Sequence, residues 1–129
     1  MKKTKKILAV IMATASLATS ALTIPASAST KGATVSRNFS VSSYTATASV
    51  SLGYGSYYGA ATSCGYSAVT DRSVLLTGYD NNGDTIYDYG YSYSGTAGAD
   101  VYAVTYFTSG TSTHYASCGS TTGSTTISF

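Results

Sequence analysis

The sequence is short of charge and lacks three residue types altogether. Trp, Glu and Gln do not occur in the chain, and only 9% of its 129 residues are charged. The paired carboxyls that glycoside hydrolysis uses would have to come from five aspartates. A phosphate-binding surface is also hard to build, because each neutralised phosphate needs its own cation. These shortages argue against an enzyme and against a nucleic-acid partner.

The first 28 residues contain the three parts of an export signal. Four lysines among the first six residues are followed by an apolar, Ala-rich run over 7–21. Small residues then stand at Ala26 and Ala28, as an A-x-A cleavage site requires. The apolar run is shorter than the roughly 20 residues that a membrane-spanning helix needs. We therefore predict a secretory signal peptide over 1–28, a secreted, extracellular protein and no stable membrane insertion after cleavage.

Cleavage after Ala28 would leave one small domain with a slight negative charge. Removing 28 of the 129 residues leaves 101, which is enough for a single domain over 29–129. The remaining cations are Lys31, Arg37 and Arg72, and together with five aspartates they give a net charge of −2. So few cations exclude nucleic acid as a partner and leave a glycan, a cell-wall component or a protein surface.

The composition after the leader is typical of β-strands. The chain has 13 tyrosines, many β-branched residues and no proline or methionine beyond residue 28. Aromatic and β-branched side chains supply the burial that disordered segments lack. Period-two alternation recurs between breaks rich in Gly, Ser and Asn. We predict an all-β fold, a small antiparallel β-sandwich of immunoglobulin-like architecture with about seven or eight strands.

The alternation also predicts where strands and loops lie. Apolar residues share one parity over 35–41, and the parity switches after Ser42, which predicts a tight turn or a bulge. The Gly-rich segment 53–59 is predicted to be a loop, and 96–100 is predicted to interrupt the strand pattern. Further strands are predicted over 63–70, 101–108, 113–119 and 124–129.

The strongest hairpin signal is Asn82-Gly83, which stands between two alternating runs. Both residues tolerate positive φ, as a tight hairpin turn requires. A two-residue loop would place Leu76 opposite Tyr89, and a longer loop would shift the pairing by one residue. The return strand carries four tyrosines on one side, and the sequence leaves open whether that side is core or surface. These tyrosines are Tyr87, Tyr89, Tyr91 and Tyr93.

Cys64 and Cys118 are the only cysteines in the chain. In an exported protein an even pair most often forms a disulfide, so we predict a Cys64–Cys118 bridge. Closing a loop of this length would stabilise the domain by about 4 kcal/mol in the chain-entropy account. There is no C-x-x-C spacing of the kind that redox and metal sites use.

No group of residues predicts a catalytic or metal site. His114 is the only histidine, and no recognisable motif places a carboxylate or a nucleophile beside it. Asp80, Asn82 and Asp84 match three oxygen positions of a calcium-binding loop, but the required glycine and glutamate are missing. The three residues are a calcium candidate, with a plain hairpin turn as the favoured interpretation. We predict no cofactor.

Three tyrosines in the Gly-rich segment 53–59 are candidate binding residues: Tyr54, Tyr57 and Tyr58. Tyrosine in such a loop offers rigid aromatic area together with adaptable hydrogen bonding. We therefore expect a secreted, non-enzymatic bacterial binding domain that engages a glycan or a protein through Tyr-rich loops. Two alternatives stay open. One is a small antibacterial or toxin-like protein, and the other is a self-assembling surface subunit, because long uncharged strands are prone to edge pairing.

Overall fold

Strands are the only regular secondary structure in the part of the chain that the structure describes. A computed structural model describes residues 19–23, 33–53 and 56–129. The all-β class predicted from composition is confirmed. The nine strands are β1 (Thr19–Thr23), β2 (Ala33–Val41), β3 (Tyr44–Gly53), β4 (Tyr57–Cys64), β5 (Asp71–Asp80), β6 (Thr85–Ser92), β7 (Gly95–Tyr102), β8 (Phe107–Cys118) and β9 (Thr121–Ser128).

The strands form two sheets that pack face to face. The five-stranded sheet has the order β1-β9-β8-β5-β6, and the four-stranded sheet has the order β2-β3-β4-β7. Every strand pair is antiparallel except β1 with β9, which is parallel. Contacts of β4 with β5 and β8, and of β2 with β9, join the two sheets. This arrangement supports the predicted sandwich.

The immunoglobulin-like strand order is not confirmed. Here β2, β3 and β4 are consecutive neighbours in one sheet. Immunoglobulin domains instead place their second and third strands in opposite sheets. The alternation of side chains reports which residues face a core, but it carries no information about which strands become neighbours. The sequence could therefore predict two layers without predicting their connectivity.

The core lies between the sheets and is made by one side of the strands β2 to β9. Along β3 every second residue is fully or almost fully buried, and the intervening positions carry Ser and Thr toward solvent. Because successive side chains in a strand point to opposite faces, this alternation gives β3 an apolar inner side and a hydroxyl-rich outer side. The buried β3 residues are Ala46, Ala48, Val50 and Leu52.

The two sheets approach each other closely at both sides of the sandwich. A Cβ on Gly90 of β6 would run into the backbone carbonyl of Gly98 on β7, and one on Gly123 of β9 would run into the carbonyl of Ser40 on β2. Asp88 reinforces the first approach, because its Oδ2 accepts the amide of Asp100 at 3.0 Å. Because β6 and β7 are the edge strands of their sheets, their close approach leaves these two edges less open to pairing with another chain.

The predicted β5–β6 hairpin is confirmed, with a pairing shifted by one residue. Leu75, not Leu76, stands opposite Tyr89. The shift arises because the turn is longer than two residues: the amide of Gly83 donates to the Asp80 carbonyl, and the amide of Asp80 donates to the Asp84 carbonyl. Gly83 has a φ of 88°, which explains the glycine at this point of the turn.

Two local expectations were wrong, and one was confirmed. The segment predicted as a loop over 53–59 contains the start of β4 at Tyr57, and the predicted break over 96–100 lies within β7. Segment 53–59 contains three glycines, and segment 96–100 contains glycine and alanine. Both residue types weaken strand propensity but are tolerated where neighbouring strands supply the pairing. The predicted tight turn after Val41 is present, and Ser42 adopts a φ of 56° there.

The predicted disulfide is also wrong. Cys64 and Cys118 are both free thiols. Cys64 is buried on the inner side of β4, where its Sγ lies 3.4 Å from the Thr45 carbonyl. Cys118 is half-buried at the end of β8, in the other sheet. The count and spacing of two cysteines could not reveal that their strands hold the thiols apart.

The predicted leader over 1–28 lies outside the described residues except for Thr19–Thr23. That short segment forms β1, which pairs with β9 from Ser124 to Ser128. Among the described residues, no helix is long and apolar enough to cross a membrane.

Candidate functional site

Tyr57 forms an aromatic platform on the outer face of the four-stranded sheet. Its side chain runs along β4 over two glycines. A Cβ on Gly53 would collide with the Tyr57 ring, and a Cβ on Gly59 would collide with its hydroxyl. The ring therefore lies close against the sheet, because glycine leaves room that any other residue would fill. The Tyr57 side chain also lines a surface depression.

A hydrogen bond to Asp100 fixes the far end of the Tyr57 side chain. The phenol donates to Oδ1 of Asp100 at 2.6 Å. This bond, aided by partial burial and by the negative charge of Asp100, raises the pKa of Tyr57 to about 12. Asp100 is itself positioned through its amide, which donates to Asp88. The platform is thus held before any ligand arrives.

Tyr102 and a shallow depression complete this cluster. The Tyr102 ring packs at 5.1 Å from the Tyr57 ring and is 68% exposed. The depression has a volume of about 240 Å³, and Gly59, Ala61 and Gly98 give it a floor without bulky side chains. Serine hydroxyls and the Asp100 carboxylate border it, and none of the described residues that line it is a cation. Its bordering side chains are Ser49, Ser51, Tyr57 and Asp100.

The structure separates Tyr57 from Tyr58, which are two of the three tyrosines that the sequence grouped as binding residues. Tyr57 is on the outer face, as described above. Tyr58 points to the core, is 7% exposed and packs between Phe107 and Phe129 with ring centroids at 4.5 and 4.7 Å. Tyr58 has no surface to offer a ligand, because adjacent residues of a strand face opposite sides. Tyr54 lies outside the described residues.

The tyrosines of β6 lie on the outer face of the five-stranded sheet, which answers the question the sequence left open. Tyr89 stands opposite Leu75, and Tyr91 stands opposite Ser73. Tyr91 is 45% and Tyr93 is 75% exposed, whereas Tyr87 and Tyr89 are half-buried. The register shift at the hairpin turn is the cause, because it moves the tyrosines to the side away from Val74 and Leu76.

His114 is part of the core and has no access to a ligand. It is fully buried, with Nδ1 at 2.9 Å from the Thr62 hydroxyl and Nε2 at 2.8 Å from the Ser112 hydroxyl. Thr62 donates its own proton to the Ser73 carbonyl at 2.7 Å, so its oxygen accepts from Nδ1. Burial lowers the pKa of His114 to about 4, which makes it a neutral structural link between the sheets.

The calcium candidate behaves as a hairpin turn. Oδ1 of Asp80 accepts the amides of Asn82 and Asp84 at 2.9 and 2.8 Å. The Asp80 side chain is 6% exposed and stabilises the turn in the manner typical of Asp. Among the described residues, no group of three His, Cys, Asp or Glu side chains is arranged to hold a metal ion.

Sequence analysis did not find Asp100, Tyr102 or the two serines of the depression. Asp100 and Tyr102 join Tyr57 only because β7 pairs with β4, with Tyr102 opposite Tyr57. That pairing connects segments far apart in the chain, and no local pattern encodes it. The sequence shows that Tyr102 and Val101 face opposite sides of a strand, but nothing in it indicates that Tyr102 lies beside Tyr57.

No protein-family model, curated protein or solved structure matches this chain. The site itself therefore carries the functional argument.

Proposed function

We propose that the protein is a secreted, non-enzymatic module that binds a neutral glycan through Tyr57, Asp100 and Tyr102. The observation that carries the proposal is the Tyr57 ring, which lies on two glycines and is held by Asp100 at 2.6 Å. A rigid aromatic face loses little conformational entropy on binding, and this favours recognition of a flat, weakly polar surface such as a sugar ring.

The chemistry around Tyr57 favours a neutral glycan over an acidic one. The Asp100 carboxylate accepts hydrogen bonds, and the hydroxyls of Ser49 and Ser51 can both donate and accept them. Such groups suit a ligand with many hydroxyls. An acidic sugar would face the Asp100 charge, and neither of the two arginines among the described residues, Arg37 and Arg72, lines the depression to offset it.

The proposal is tested on a glycan array with the full chain, expressed with its own leader and purified in the form that the host produces. We expect binding to neutral glycans that falls at least about tenfold in Tyr57→Ala, because the platform is lost. Tyr57→Phe should retain part of the binding, since the ring remains while the bond to Asp100 is removed.

The matched control is Tyr79→Ala, which removes a 41% exposed tyrosine from the five-stranded sheet. This variant should bind as the parent does. An array with no neutral-glycan signal, or a signal that Tyr57→Ala leaves unchanged, would contradict the proposal. Killing of target cells by the purified protein would instead favour the antibacterial alternative.

Self-assembly is the second candidate, and the position of β1 favours it. β1 lies within the predicted leader and pairs with the outer edge of β9. Cleavage after Ala28 would remove that strand and leave the β9 edge able to pair with another chain. Light scattering of the released protein over a range of concentrations tests this alternative. A constant monomer mass would contradict it.

A further inference from the structure

A second tyrosine–aspartate–tyrosine cluster lies on the opposite outer face of the sandwich. The phenol of Tyr91 on β6 donates to Oδ1 of Asp71 on β5. The Tyr91 ring packs against Tyr93 with centroids 4.9 Å apart. We call this group of Tyr91, Asp71 and Tyr93 the second cluster, and we call Tyr57, Asp100 and Tyr102 the first cluster.

The two clusters share their chemistry, but their ring pairs differ in geometry: the rings are tilted by 42° in the first cluster and packed edge-on at 84° in the second. In each, one tyrosine donates its hydroxyl to an aspartate on a different strand and packs against a second tyrosine. Ring centroids are 5.1 Å apart in the first cluster and 4.9 Å apart in the second. The outer tyrosine is strongly exposed in both, at 68% for Tyr102 and 75% for Tyr93.

Neighbouring residues hold the second cluster in place. Thr70 donates its hydroxyl to Oδ2 of Asp71 at 3.0 Å. The buried Arg72 donates from Nη1 to the Tyr93 carbonyl at 2.9 Å, and its other bonds go to the carbonyls of Cys64 and Tyr66. The backbone under Tyr93 is thereby tied to the β4–β5 connection. Like the first cluster, this surface is organised before a ligand binds.

The charge of the second cluster also matches that of the first. Asp71 is its only charged side chain. Of the described residues only two carry a permanent positive charge: Arg72 is 2% exposed, and Arg37 lies on β2 in the other sheet. A carboxylate that accepts hydrogen bonds beside electron-rich rings suits a hydroxyl-bearing neutral ligand, as it does in the first cluster.

We infer that the second cluster is a second site for the same class of neutral glycan, so that one chain binds two glycan chains. The inference rests on the proposed function for the ligand class. Because the clusters lie on opposite faces of a sandwich, one rigid ligand molecule cannot occupy both. Two independent sites on one small domain would crosslink polysaccharides, and crosslinking raises avidity without any new contact.

The test measures binding stoichiometry by calorimetry on the full chain, in the form that the host produces. The probes are cellohexaose and chitohexaose, two neutral β-1,4-linked oligosaccharides. We expect two sites per chain in the parent, one in Tyr57→Ala, one in Tyr91→Ala and none in the double variant. Tyr79→Ala should keep two sites. With hydroxyethyl cellulose, only chains that keep both sites should produce turbidity.

The outcomes separate this inference from the proposed function. One site in the parent, abolished by Tyr57→Ala and unaffected by Tyr91→Ala, overturns the second site and leaves the proposed function standing. No binding of either probe overturns the inference of two sites, whereas the proposed function is overturned instead by a glycan array without a neutral-glycan signal. Tyr93→Ala guards against misfolding of Tyr91→Ala, because the mostly exposed Tyr93 ring can be removed with little loss of packing. It should also reduce the stoichiometry to one, and an unchanged count of two contradicts the inference.

Discussion

Tyr57 and Tyr58 are adjacent in the chain, and β4 turns their side chains to opposite sides of its sheet. Tyr58 stacks on Phe107 in the core, whereas Tyr57 lies on the outer face and reaches Asp100. At this scale the role of a residue follows from strand parity and from what lies beneath it. Gly59 is as important to the site as Tyr57 itself, because a Cβ at residue 59 would occupy the space that the Tyr57 side chain fills.

Gly59→Ala should displace the Tyr57 side chain. The new Cβ would collide with the phenol oxygen and would lie 3.1 Å from Oδ1 of Asp100. With the bond to Asp100 broken, the pKa of Tyr57 should fall from about 12 toward the ordinary value of about 10. Titration followed by NMR at the Tyr57 ring carbons measures the change.

The control for this substitution is Gly98→Ala on the neighbouring strand. Its new Cβ would find only the Ala60 carbonyl, at 3.9 Å. The pKa of Tyr57 should stay at about 12 in this variant. A Tyr57 pKa that does not respond to Gly59→Ala would show that the hydrogen bond to Asp100 is not its main cause.

His114 should make the protein less stable in mild acid. Its folded pKa of about 4 is below the ordinary histidine pKa of 6.5, so the unfolded chain takes up a proton first as the pH falls. Stability is therefore full above about pH 6.5 and is lost progressively toward pH 4. We expect the free energy of unfolding to fall by about 2 to 3 kcal/mol between pH 7 and pH 4.5.

Urea unfolding at several pH values measures this loss. The chain has a single histidine, so a decline that begins near pH 6.5 can be assigned to His114. His114→Gln offers the control, since its amide can bond to Thr62 and Ser112 but does not titrate. An equally steep decline in that variant would contradict the account.

Among the strands, β6 and β7 can approach each other closely because Gly90 has no side chain. Gly90→Ala would direct a methyl group into the Gly98 carbonyl and within 2.9 Å of the Gly98 amide nitrogen. Backbone atoms cannot rotate away, so the sheets must separate at this edge. We expect a loss of about 2 kcal/mol, which lowers the Tm by about 10 °C.

Thermal unfolding followed by circular dichroism measures the effect of Gly90→Ala. The control is Gly65→Ala, because a Cβ at Gly65 meets no atom within 4 Å. The Gly65→Ala control should have nearly the same Tm as the parent protein. Equal melting temperatures for Gly90→Ala and the parent would mean that the close approach of β6 and β7 is not required.

The strands were predictable where alternation was strong and unpredictable where small residues replaced it. The parity switch after Val41 and the Asn82-Gly83 turn signal both corresponded to real hairpins. The strand residues within 53–59 and 96–100 were not predictable, because glycines in the first segment and glycine and alanine in the second interrupt the alternation of large apolar side chains. In both strands the partner strand, rather than local propensity, stabilises the extended backbone.

Only one member of the first cluster could be chosen from the sequence. Tyr57 was among the candidates, but Asp100 and Tyr102 reach it through the β4–β7 pairing. The second cluster was visible as a stripe of alternating tyrosines, without a way to decide which side it faced. The β5–β6 turn is one residue longer than a two-residue hairpin loop, and this extra residue places the tyrosines on the outer face.

At the scale of the whole molecule, the sandwich holds together without a covalent link between its sheets. Cys64 and Cys118 are free, and the buried bonds of His114 to Thr62 and of Arg72 to Cys64 connect the layers instead. Reductant should therefore leave the Tm unchanged, and alkylation of the denatured, unreduced protein should label both thiols. If the denatured protein takes up no label and its Tm falls after reduction, the two cysteines form a disulfide and the account of free thiols is wrong.

The central claim is that a glycan binds at the first cluster, and mapping by NMR tests it most directly. Backbone amide signals of the isotopically labelled protein are followed while the neutral oligosaccharide that binds best on the array is added. The account predicts saturable shifts at Tyr57, Gly59, Asp100 and Tyr102. Saturable binding without shifts at these four residues, or no binding by any neutral oligosaccharide, would contradict it.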